Sequence, residues 1–135
     1  MIKVYHFTPY YNAPLSAEAR DVHFSITGLG DPAAAKRVFD HPNSFGQYIH
    51  VADIMAVDFD EATRLTTHTP ERHWPNNGQV ILALHHAAAG AMRSTAIGDI
   101  LVGNMELGRL AVMVSSFGFI NLDVARPPMA VESKV

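Results

Sequence analysis

A chain of 135 residues that is 48% hydrophobic and 17% charged has enough apolar material for one folded core and too little charge for a disordered segment. It contains no cysteine, which excludes disulfides, thiolate catalysis and cysteine-based zinc sites. The formal charge is −3, with eight histidines. Its cations are scattered, so there is no basic face of the kind a phosphate-contacting protein carries. No run of 18 apolar residues is present, so no membrane span is expected, and the opening Met1–Phe7 does not resemble a signal peptide. A cytoplasmic protein is the resulting expectation.

Residues 2–8 are β-branched and aromatic and predict a strand, which Pro9 ends. Tyr10 and Tyr11 follow in a proline-flanked loop, where two adjacent tyrosines cannot both be buried easily. Ser16 can cap one helical turn over 16–20. Val22, Phe24 and Ile26 alternate with polar neighbours and predict a half-buried strand over 21–27. Asp31-Pro32 then opens a helix to about Phe39, with Asp as N-cap and Pro at the first helical position.

Residues 47–57 predict a strand with a break near Ala52-Asp53. Asp58 and Glu61 have capping-box spacing, so a short helix to about Thr66 is expected. The polar stretch from Thr67 to Asn77 predicts a loop holding Arg72 and Trp74. Gly78 to Ala89, rich in Ala and Leu, predicts a central buried helix. Ser94 to Gly98 predicts a turn, and Ile100–Val102, Leu110–Ser115 and Phe117–Leu122 three short strands. Taken together, an α+β fold is expected: a mostly antiparallel sheet, two to three helices and a C-terminal hairpin or meander, with one domain over 1–125 and a mobile tail over 126–135.

One segment reads as a signature. Arg93-Ser94-x-x-x-Gly98-Asp99-Ile100 is followed by a strand and then Ser116-Phe117-Gly118-Phe119. This pattern resembles the YodL-like domain over residues 92–122, with departures at Ile97 and Ser115 where the family carries Val and Asp. The resemblance implies a protein of phages, plasmids or other mobile genetic elements, without a defined chemistry. In physical terms, Gly98-Asp99 is a turn pair that launches a strand, and Gly118 between two aromatics suggests a bulge.

Chemistry-bearing patterns are weak. Ser115 and Ser116 lack a nucleophile elbow. Asp53, Asp58, Asp60 and Glu61 place carboxylates near His50, although the capping box already accounts for Asp58 and Glu61. Gly28-x-Gly30 ahead of a helix lacks a third Gly, and Asp31 at its N-cap would repel a phosphate. His68, His73, His85 and His86 with Asp58 or Asp60 offer zinc-type donors, but no His-x-x-x-His spacing supports them. No catalytic residue, metal or cofactor is therefore expected.

The expectation is a small non-catalytic protein-interaction module. Its partner would be a host or element-encoded protein, its role interference with host or defence machinery, and Tyr10, Tyr11, Arg72, Trp74 and Arg93 its anchors. A homodimer is compatible with this. Two alternatives stay open: a nucleic-acid-binding accessory protein using the same aromatics, and a metal-dependent hydrolase using the histidine-rich middle segment.

Overall fold

The computed structural model describes residues 1–7, 17–40, 48–71, 74, 78–82, 93–105, 108–116 and 118–122. Along the chain these give β1 (Ile2–Phe7), α1 (Ala17–Thr27), α2 (Pro32–Asp40), β2 (Tyr48–Ile54), α3 (Phe59–Leu65), β3 (Val80–Leu82), β4 (Ile100–Met105), β5 (Gly108–Ser115) and β6 (Gly118–Asn121). The strands form one sheet in the order β3-β2-β1-β4-β5-β6, and every pairing is antiparallel. The fold is α+β with a C-terminal meander, as the sequence predicts.

Helices lie on both faces of this sheet. On one side Val22 and Ile26 of α1 and Ala34, Ala35 and Val38 of α2 pack on Phe7, Ile100, Val102 and Met113. On the other, Ala62 and Leu65 of α3 and the Trp74 ring pack on Ile2, Val4, Ile54, Leu101 and Val112. Alternation along β1 produces the split. Ile2 and Val4 belong to the α3 side and Phe7 to the α1–α2 side. Each fully buried Val, Ile or Phe stabilises the fold by about 1.5–3 kcal/mol.

Local signals act as predicted in α2 and α3. Asp31 Oδ1 accepts the Ala33 N–H at 3.0 Å ahead of Pro32. Asp58 Oδ1 accepts the Glu61 N–H at 2.8 Å, while Glu61 Oε1 reaches back to the Val57 N–H at 2.9 Å. Thr66 closes α3.

Two predicted elements are corrected. Residues 21–27 belong to helix α1 and not to a strand. Val22 and Ile26 are four residues apart and share the buried side of that helix, while Phe24 is 59% exposed. Val80–Leu82 is strand β3 and not part of a helix, because it pairs with Ala52–Ile54 of β2. The rest of the predicted central helix, from Ala83 onward, lies outside the described residues, as does the 126–135 tail. Among the described residues no helix is long and apolar enough to cross a membrane.

The break expected in β2 is a register shift. Val4 pairs with Ala52 but Tyr5 pairs with His50, so Val51 has no opposite residue. The extra residue reverses the alternation. His50 and Asp53, three apart, therefore share one face and meet, His50 Nε2 to Asp53 Oδ1, at 2.8 Å.

Candidate functional site

The signature residues converge where the end of β1 meets the start of β4. Asp99 is fully buried. Arg93 grips it with both terminal nitrogens, Nη1 to Oδ2 and Nη2 to Oδ1, each at 2.6 Å. The Phe7 N–H donates to Oδ1 at 2.9 Å and the Ala96 N–H to Oδ2 at 2.8 Å. Burial pushes the Asp99 carboxyl above its ordinary range, against the opposing pull of Arg93 and the two amides. All four of these hydrogen bonds are donated to the carboxyl, and the fully buried His6 Nε2 stands 3.8 Å from Oδ2.

This pair fastens three parts of the chain. Arg93 Nη1 also donates to the Ser94 carbonyl at 2.9 Å and Nη2 to the Phe7 carbonyl at 3.4 Å. Ser94 Oγ accepts the His68 N–H at 2.8 Å. The Trp74 indole N–H donates to the Arg93 carbonyl at 2.7 Å, and the Trp74 backbone N–H donates to His68 Nδ1 at 3.2 Å. Gly98 has a φ of 95°, and a Cβ there would lie 2.8 Å from Ile26 Cγ2. Only glycine fits between this turn and α1. The Tyr48 hydroxyl holds the Gly98 carbonyl at 2.6 Å.

A second chain of buried polar groups runs beside it. Thr66 Oγ donates to the Ala62 carbonyl at 2.8 Å, and Thr95 Oγ donates to Thr66 Oγ at 2.8 Å. His6 Nε2 lies 2.9 Å from Thr95 Oγ. With the two threonine protons committed in this order, Thr95 can only accept from His6, so Nε2 carries the His6 proton.

These contacts define what the signature can do. Asp99 receives four donors and Arg93 spans a carboxylate and two carbonyls, so the pair holds the 93–99 loop in place. Trp74, expected as a partner-binding anchor, is 2% exposed. Arg93, also expected as an anchor, is engaged with Asp99, its side chain 19% exposed. Tyr10, Tyr11 and Arg72 lie outside the described residues. Arg93 and Asp99 lie six residues apart in an irregular loop, where no helix or strand period governs which side chains meet, so sequence reasoning missed the pair.

The loop so held forms one wall of a cleft of about 120 Å³, lined by Gly28, Leu29, Gly30, Ile97, Ser115, Ser116 and Ile120. Both halves of the signature contribute: Ile97 from the turn, and Ser115 and Ser116 from the end of the β5–β6 hairpin. Ser115 Oγ is turned onto the Gly118 carbonyl at 2.9 Å. On the α1–α2 side stand two large exposed apolar residues, Phe24 at 59% and Leu29 at 67%. The Phe24 ring lies directly against Gly28, where a Cβ would come within 2.6 Å of it.

Toward the β3 edge of the sheet, Lys3 of β1 lies opposite Asp53 of β2, and Asp53 lies opposite Ile81 of β3. Lys3 and His50 both contact Asp53 there, at 3.4 and 2.8 Å. Met1, Met55 and Ile81 are exposed beside them. Asp58, Asp60 and Glu61 stay at the start of α3, so of the carboxylates considered for acid–base work only Asp53 contacts His50. Among the described residues no three histidine or carboxylate side chains converge to hold a metal ion.

No protein-family model matches the chain, and comparison with characterised proteins and with solved structures yields no match either.

Proposed function

We propose that this protein is a small non-catalytic interaction module that captures an apolar side chain of a partner protein in the cleft between the α1–α2 turn and the signature loop. What supports this reading is a cleft of mixed lining, with Leu29, Ile97 and Ile120 beside Ser115 and Ser116, edged by the exposed Phe24 and Leu29 side chains. Exposed apolar side chains beside a recess are the usual anchors of protein recognition. A second support is that polar groups nearby are engaged within the fold, the buried Asp99 by four donors and the partly exposed Ser115 hydroxyl by its own turn. The mobile-element context belongs to the same proposal through the YodL-like pattern, as do a cytoplasmic location and a host or defence protein as partner. Tyr10, Tyr11 and Arg72 remain proposed contributors.

The test is affinity capture from a bacterial lysate treated with nuclease, comparing the native protein with Phe24→Glu, Leu29→Glu and, as a distant control, Ile81→Glu. All three positions are exposed, so circular dichroism is expected to be unchanged. A stoichiometric protein retained by the native chain and by Ile81→Glu, but lost from both cleft variants, is the expected result. Equal capture by all four would remove the cleft from the mechanism. Captured material that vanishes with nuclease would replace the reading with nucleic-acid binding.

A further inference from the structure

We draw no further inference here: the strongest candidate, the sheet surface around Lys3, His50 and Asp53 with Met1, Met55 and Ile81 exposed beside them, carries nothing because no feature of the structure shows what covers it.

Discussion

Arg93 and Asp99 form a two-pronged ion pair, both contacts 2.6 Å, with the carboxylate fully buried and the guanidinium reaching it from the side. The pair ties the entry of β4 to the end of β1 through the Phe7 amide and carbonyl. Breaking one side of such a pair leaves the other charge in a medium that cannot solvate it. Arg93→Ala is therefore expected to cost about 3–5 kcal/mol. Asp99→Ala is expected to cost a similar amount, since it orphans the Phe7 and Ala96 amides at about 1–3 kcal/mol each. The double variant should cost less than the sum, with a coupling of about 1–3 kcal/mol in urea unfolding. Simple additivity would show that the two side chains do not stabilise each other.

The same pair sets a pH dependence with a definite sign. Burial raises the folded Asp99 above its unfolded value, and Arg93 opposes that rise. A carboxyl raised in the folded state binds its proton more readily there, so its contribution to stability falls as pH rises through the window above the ordinary value of about 3.9. Removing Arg93 removes the opposing pull and widens the window. The stability deficit of Arg93→Ala relative to the native chain should therefore shrink as pH is lowered from 7 to 5. Denaturant melts of both proteins across that range measure it, and a deficit independent of pH would contradict a buried, uncompensated carboxylate.

Gly98 and Gly30 both have positive φ, 95° and 65°, but differ in their surroundings. A Cβ at Gly30 meets nothing within 4 Å, whereas one at Gly98 would press on Ile26. Gly30→Ala should cost only the left-handed backbone penalty, about 1–2 kcal/mol. Gly98→Ala should cost more, because the overpacking of Ile26 adds about 1–3 kcal/mol. Thermal melts of the two variants test the order, and equal losses would mean that the turn moves freely away from α1.

Trp74 is the single tryptophan of the chain and is almost fully enclosed. Its fluorescence should be blue-shifted in the folded protein and shift red on unfolding, giving a direct probe of the α3 side of the sheet. Trp74→Ala should cost about 3–5 kcal/mol through the cavity it leaves. Trp74→Phe keeps most of the packing and loses the hydrogen bond to the Arg93 carbonyl, for a cost of about 1–3 kcal/mol. Native emission resembling that of the unfolded chain would place the ring in solvent.

The sequence by itself determined the elements whose signals are local. The cap at Asp31-Pro32, the Asp58–Glu61 capping box and the alternating strands of the C-terminal meander each rest on groups within a few residues of one another, and each stands in the structure where the chain predicts it. Tertiary structure decided the rest. Val22, Phe24 and Ile26 satisfy period two and, at Val22 and Ile26, period four, and only the surface that buries two of them and leaves Phe24 outside chooses the helix. Val80–Leu82 becomes a strand because β2 offers it a partner, a fact no local propensity contains. The Arg93–Asp99 pair is tied to β1 through the Phe7 amide and carbonyl, and the His6–Thr95–Thr66 chain and the cleft assemble groups from separate elements. Their energies come from desolvation and contact across the fold, which residue spacing along the chain does not encode.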